Sequence, residues 1–263
     1  MDFSFKNRHG LKIVGIYDEA NTAAKKGLVF LQHGFSGHMN QPHILVMCDC
    51  FLKAGYDVVR FDCTHAFGDS EGDLSQANLT NHADDLEDVI EWARGQDWFR
   101  EPFILAGHSL GGGSNLRYAS RHPTHVAAMA PLSAVISYEL MIEAYKRNKA
   151  DELEALYRDG FVWKESATRA GYRGKKTVQY VENLKQHDYL SAAAKFTMPV
   201  LIVVGEHDDI TLPEHQQKLY DALQGPKMYR MIEGSEHTFR TETELTRLSA
   251  VMDEWLNSLR NNK

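Results

Sequence analysis

Cysteine is scarce: Cys48, Cys50 and Cys63 are the only three in 263 residues, odd in number and close together. That excludes the disulfide framework of a small secreted domain and fits reduced thiols in a cytoplasmic protein. Cys48-Asp49-Cys50 has neither the spacing of a zinc knuckle nor a second pair, so it is expected to fill a helix. Long hydrophobic runs are missing too. Residues 198–204 form one of the greasiest stretches, far short of the roughly 20 residues that span a bilayer. Residues 1–8 lack the apolar centre of a signal peptide, so no membrane association is expected. Positive charge is in deficit, 29 Lys+Arg against 36 Asp+Glu for a net charge of -7. A phosphate backbone calls for a basic face, so nucleic acid is not an expected partner. There is no block of like charge, no internal repeat and no low-complexity segment.

What is present is ordinary globular composition, 43% hydrophobic and 25% charged, on a chain long enough for one α/β domain with an insertion. Residues 2–6 and 11–17 read as an antiparallel pair turned at His9-Gly10. Residues 28–31 form a continuous apolar run, as expected of a strand covered on both faces, and 57–62, 103–106, 126–130, 200–204 and 227–232 read as further strands. Helical patterning falls between them, at about 42–54, 81–95, 114–121, 213–223 and 242–259. Such alternation implies right-handed crossovers and a mostly parallel, twisted sheet with helices on both faces. The rhythm breaks after Pro131. Residues 137–157 read as one long helix, 161–172 as a small hairpin, and 177–190 as helix again. The expected organisation is therefore a core of residues 1–132 and 196–263, with residues 133–195 inserted as a cap.

Gly107-His108-Ser109-Leu110-Gly111 matches G-x-S-x-G between an apolar run and a helical one, the strand–turn–helix context that gives the pattern meaning. A Cβ at Gly107 or Gly111 would collide where strand and helix pass, and the Ser109 hydroxyl would stand at the tip. A Gly/Ser-rich turn without chemistry shares the pattern. A phosphate loop does not, since G-x-x-x-x-G-K-[ST] needs a Lys that is missing. A serine hydroxyl is a weak nucleophile and needs a base held by an acid. Ligand-facing residues of parallel sheets lie beyond the carboxyl ends of the strands, which directs attention to the loops at 205–210 and 233–239. The first offers Glu206, His207, Asp208 and Asp209; the second offers His237. Serine, acid, histidine is the chain order of α/β-hydrolase triads. His207 with Asp208 and Asp209 is a poor metal set, because neighbours on one loop rarely converge on one ion. His215 is expected on a helix surface, and His108 inside the turn.

With His33-Gly34-Phe35, Gly205 to Asp208 and His237 in register with that motif, the chain resembles the α/β-hydrolase superfamily over nearly its whole length. It is most similar to small cap-bearing esterases of the feruloyl/cinnamoyl and serine-aminopeptidase-like group. The resemblance implies the α/β-hydrolase fold, Ser109, Asp208 and His237 as the catalytic residues, and no metal or cofactor. Asp208 is preferred over Asp209 and Glu206 because such proteins read Gly-x-x-Asp after this strand. The oxyanion hole is expected from the backbone N–H groups of Phe35 and Leu110. One departure stands out: the family's Asp-x-Arg-Gly-x-Gly-x-Ser appears as Asp62-Cys63-Thr64-His65-Ala66-Phe67-Gly68-Asp69-Ser70, one residue longer and without Arg-Gly. That puts the shape of the pocket floor in question.

The expected activity is a serine esterase cleaving carboxylic esters of small to medium acyl groups, including aromatic, hydroxycinnamoyl-type ones. Tyr138, Tyr145, Tyr157, Phe161, Trp163, Tyr172 and Tyr180 of the insertion supply rings for such a pocket or for the cap's own core. Thioesterase, aminopeptidase and carbon–carbon bond hydrolase use the same triad, and a non-catalytic ligand-binding protein can keep the fold. The partner expected is a small-molecule ester, and a homodimer is left open. If His237 is the base, activity falls as it takes up a proton on the acid side of neutrality. A turnover rate that stays flat between about pH 5 and 8 would remove it from that role.

Overall fold

Apolar runs bounded by turn residues become the strands of one sheet in this computed structural model, which describes residues 1–261. β1 (Asp2–Lys6) and β2 (Lys12–Asp18) form an antiparallel hairpin. Then come β3 (Gly27–Gln32), α1 (Pro42–Ala54), β4 (Tyr56–Asp62), α2 (Leu79–Arg94), β5 (Phe103–His108), α3 (Leu110–Arg121) and β6 (Val126–Leu132). After an interruption the alternation resumes with β9 (Val200–Gly205), α8 (Pro213–Ala222), β10 (Lys227–Ile232) and α9 (Glu242–Asn261). The sheet has eight strands in the order β1-β2-β4-β3-β5-β6-β9-β10, parallel from β4 onward. This is the α/β-hydrolase arrangement.

Strand periodicity sorts the core into two faces. On β3 and β5, Leu28, Phe30, Phe103 and Leu105 point to one side, where Leu86, Val89 and Ile90 of α2 and Leu116 of α3 cover them. Val29, Leu31, Ile104 and Ala106 point to the other, against Met47 and Phe51 of α1 and Met252 and Trp255 of α9. Burial on both faces is why these strands read as unbroken apolar runs. Cys48 and Cys50 pack within α1, Cys63 follows β4, and all three are buried and unpaired. No helix among the described residues is long and apolar enough to cross a membrane.

Between β6 and β9 lie α4 (Tyr138–Asn148), α5 (Ala150–Asp159), β7 (Phe161–Glu165), β8 (Arg173–Thr177), α6 (Val178–Leu184) and α7 (Leu190–Ala193). The long helix expected at 137–157 is broken at Lys149 (φ -137°, ψ 35°), whose ammonium reaches Asp209 at 2.5 Å. The hairpin pairs 161–165 with 173–177, so its return strand lies later than expected. The intervening loop clips onto the long 63–73 loop. Arg169 donates to the Phe67 carbonyl at 2.8 Å and to Asp69 at 2.9 Å, and Thr168 meets the His38 ring at 2.8 Å. His215 is buried rather than on a helix surface: α8 presents it to Leu140 and Met141 of α4 and to Ile210, 3.6 Å from Glu143.

Close approach of the start of α3 to β5 and to the end of β3 explains two glycines. A Cβ at Gly107 would lie 2.6 Å from the Gly111 carbonyl carbon, and one at Gly111 only 2.5 Å from the Gln32 carbonyl oxygen and 2.7 Å from that of His33. All of these are backbone atoms, which cannot rotate aside. Gly111→Ala is expected to destabilise the fold by about 1–3 kcal/mol, read as a lower denaturant midpoint; an unchanged midpoint would mean that the crossing relaxes freely.

Candidate active site

β5 is buried along its full length and ends at His108; α3 starts at Leu110. The single residue between them, Ser109, has φ 57° and ψ -114°, a left-handed conformation rare for a residue with a Cβ. Such strain costs on the order of 1–3 kcal/mol and persists only where neighbours over-determine it. Here the Ser109 N–H donates to the Leu132 carbonyl at 2.9 Å, and its carbonyl accepts from Gly113 at 3.0 Å and Val135 at 3.2 Å. The hydroxyl is thereby raised at the carboxyl edge of the sheet, on a residue only 6% exposed.

The loop after β3 passes beside it, since a Cβ on Gly34 would lie 2.9 Å from Ser109 Cβ. His33 fixes that loop. Its Nε2 accepts the Cys63 N–H at 2.9 Å, so Nδ1 carries the proton that bonds the Gly34 carbonyl at 2.7 Å. The N–H groups of Phe35 and Leu110 donate to no protein group among the described residues. Both belong to residues flanking Ser109 in space, where two free donors can meet one developing oxyanion.

His237 and Asp208 arrive from the loops after β10 and β9. His237 Nε2 lies 3.0 Å from Ser109 Oγ, and Nδ1 lies 2.9 and 3.0 Å from the two oxygens of Asp208. The structure thus brings all three expected side chains into one hydrogen-bonded chain. Burial on its own raises the Asp208 carboxyl's affinity for a proton. The His237 ring and the N–H groups of Thr211 (2.8 Å) and Ile210 (3.0 Å) more than offset it, holding the carboxyl well below the usual carboxylate range. The Thr211 hydroxyl lies 2.9 Å from Asp208 Oδ2 and 3.0 Å from the Ser133 carbonyl. Thr211 is a positioning residue that motif reading missed; a Thr three residues after the acid was the signal. The alternative acids turn elsewhere, Asp209 to Lys149 and Glu206 to the Gly234 N–H at 2.8 Å. His108 donates from Nε2 to the His237 carbonyl at 2.7 Å, and burial followed by the nearby His237 ring lowers its pKa to about 3, so it stays neutral.

His33, Cys63 and His82 bring ligand atoms within 4.8 Å of one another. Both nitrogens of His33 are already engaged, and Cys63 Sγ accepts from Gln32 at 3.1 Å, which makes the group a packed support for the loop beside Ser109. A cavity of about 680 Å³ lies at the amino ends of the strands, beside Gly27, Pro102 and Pro199, and contains none of the three candidate residues.

Ser109 and His237 open onto a cavity of about 240 Å³. Of the seven rings counted in the insertion, only Tyr145 and Tyr180 line it; Tyr157, Trp163 and Tyr172 are exposed. The rest of that segment's contribution is charged: Lys149, Glu152, Lys164 and Lys176, with Arg240 joining from the core. Spacing gave no warning of this, because these residues come from two helices and a hairpin that meet only in the fold.

A family model described as serine aminopeptidase, S33, matches residues 23–244. Among solved structures, Est1E of Butyrivibrio proteoclasticus with bound ferulic acid superposes with a TM-score of 0.79 at 21% identity, covering 98% of this chain and 99% of that one. The human mitochondrial palmitoyl-protein thioesterase ABHD10 is 22% identical, covering 97% of this chain and 82% of its own length. A 31.7 kDa Escherichia coli protein encoded between traX and finO is 27% identical, covering 88% of this chain and 90% of its own length.

Asp208 sets a pH dependence of stability. The unfolded chain takes up that proton near pH 4, the folded chain only at lower pH, so the carboxylate's contribution is complete above about pH 4 and is lost as pH falls. Asp208→Asn is expected to lose less unfolding free energy than the parent between pH 5 and 3. Parallel curves would contradict the depressed carboxyl.

Proposed function

The chain belongs to the serine aminopeptidase S33 family, and from that premise we propose that it is a serine hydrolase cleaving carboxylic esters of small to medium acyl groups through an acyl-enzyme on Ser109. The observation that carries the reading is the unbroken Asp208–His237–Ser109 hydrogen-bond chain at the mouth of the cavity. His237 Nε2 takes the hydroxyl proton as Ser109 Oγ attacks the ester carbonyl, while the Asp208 carboxylate accepts a hydrogen bond from Nδ1–H and stabilises the imidazolium. The N–H groups of Phe35 and Leu110 receive the tetrahedral oxyanion. The C–O bond to the alcohol breaks as His237 returns its proton to the departing oxygen. Water, deprotonated by the same nitrogen, then attacks the acyl carbonyl and releases the acid with Ser109 restored. We read residues 133–195 as a cap over this site and the cytoplasm as its compartment, the latter in keeping with three buried, unpaired thiols.

Cavity size and lining favour some substrates within that class. About 240 Å³ falls below the roughly 300–1,000 Å³ of typical drug-sized pockets, which supports a short acyl chain or a single ring. Phe35, Tyr145 and Tyr180 suit the flat face of a hydroxycinnamoyl group, the kind of acid bound by the Est1E structure. A small thioester is the second reading, favoured by the thioesterase named among the relatives. Aminopeptidase activity is disfavoured, because four cationic side chains on the lining against one carboxylate repel a protonated amine.

A fluorophosphonate probe is expected to label the protein at Ser109, with labelling abolished in Ser109→Ala. Across a panel of p-nitrophenyl and hydroxycinnamoyl esters, Ser109→Ala should lose essentially all kcat/KM. Tight ligand binding by a native chain inert to the probe would instead mark a binding protein on this fold.

A further inference from the structure

Inside the cavity, two ammonium groups share one carboxylate. Lys164 Nζ lies 2.8 Å from one oxygen of Glu152, and Lys176 Nζ lies 3.2 Å from the other. Lys176 is only 4% exposed, an unusual position for a lysine. Its Nζ sits 4.2 Å from the centre of the Tyr180 ring, 4.6 Å from that of Tyr145 and 5.6 Å from that of Phe35, and it hydrogen-bonds the Tyr145 hydroxyl. Burial, then the Glu152 charge, pushes the Tyr145 phenol far up, so it remains neutral and balances nothing. With both lysines protonated the cluster carries one positive charge in excess, a crowding that shows at Lys164, whose pKa is lowered by burial and then by the Lys176 charge.

A single lysine would suffice to pin β8 or β7 to Glu152 of α5; the second adds a cation that the fold does not neutralise. Flanking rings offset part of the cost, but Lys176 is buried and has to share its one carboxylate with Lys164, which leaves it only partly compensated. Nearby charges do not supply the deficit. Lys149 is already paired with Asp209, and Arg240 adds a further positive charge at the mouth. In a chain of net charge -7, the cavity lining has the opposite sign to the whole.

We propose that Lys176 and Lys164 form a recognition site for an anionic group, a carboxylate or phosphate, on the substrate whose carbonyl Ser109 attacks. This rests on the hydrolase reading and adds the class of substrate to it. Phe35 links the two ends: its ring borders Lys176, and it lines the same cavity as Ser109, directly after Gly34, where an added Cβ would lie 2.9 Å from Ser109 Cβ. The substrate is thus a short ester with its scissile carbonyl at Ser109 and its anionic end under the 133–195 segment, the carbon chain lying against Phe35, Tyr145 and Tyr180.

The test compares mono-p-nitrophenyl glutarate, which keeps a free carboxylate, with its neutral methyl ester. Wild-type protein is expected to favour the anionic ester by about ten-fold or more in kcat/KM, mostly through KM, the range of a charge-assisted hydrogen bond. Lys176→Met should bring the ratio close to one, and Lys176→Arg should retain most of the preference. Equal or better use of the methyl ester by wild-type protein overturns the proposal, whether or not the buried Lys176 variants fold. So does a ratio that survives in both Lys176→Met and Lys164→Met. Calorimetric titration of Ser109→Ala with monomethyl glutarate and with dimethyl glutarate asks the same question without catalysis. Tighter binding of the anionic monoester there supports the anion site even if wild-type protein turns over neither p-nitrophenyl ester, a result that would count against the hydrolase reading alone. Equal binding overturns the anion site. Substitution of glycerol 1-phosphate for monomethyl glutarate separates phosphate from carboxylate as the anion preferred.

Discussion

A serine hydroxyl meets an imidazole across a sheet edge only if the backbone beneath it turns more sharply than a residue with a side chain ordinarily allows. At Ser109 the packing imposes that turn. β5 is buried on both faces and cannot slide, α3 must start at once to cover it, and the glycines at 107 and 111 let the two backbones cross within contact distance. Three backbone hydrogen bonds hold the left-handed angles. Move this turn, and the distance to His237, the approach of the 33–35 loop and the orientation of the Leu110 N–H all change together.

The strain is not confined to one residue. Ser36, which lines the same cavity, and Ser133, which is buried, also have positive φ, 53° and 43°. Ser133 ties the turn to the acid: its carbonyl faces the Thr211 hydroxyl, and Thr211 in turn faces Asp208. The rigid sheet beneath carries the cost of these conformations. Pre-set geometry of this kind suits a site that must stabilise charge as it develops, with little reorganisation at the moment of reaction.

Most of the core was legible in the sequence, because double-sided burial leaves continuous apolar runs and each run is closed by a turn. The meeting of Ser109 with His237 was legible for a related reason. The fold sends functional residues to the carboxyl ends of its strands, and chain order then limits the choice. The acid was harder to find. Glu206, Asp208 and Asp209 share one loop, and only the direction of each side chain separates Asp208 from a lysine partner or a loop amide. The 133–195 segment was read least well. Its helix breaks at Lys149, where a tertiary ion pair overrides local preference, and its second strand is displaced because the 166–172 loop is spent on clipping Arg169 to the 63–73 loop. The position of His215 and the charge on the cavity lining depend on contacts between distant elements, which no periodicity records.

The proposed reaction has Ser109 form and lose a covalent bond with each turnover, and that bond is the most direct thing to observe. Acid quenching during turnover of a p-nitrophenyl ester, followed by mass spectrometry of the proteolysed chain, should show the acyl mass on the peptide containing Ser109, and none in His237→Ala under the same conditions. Turnover in wild-type protein with the adduct on another residue, or undiminished acylation of Ser109 in His237→Ala, would contradict the account.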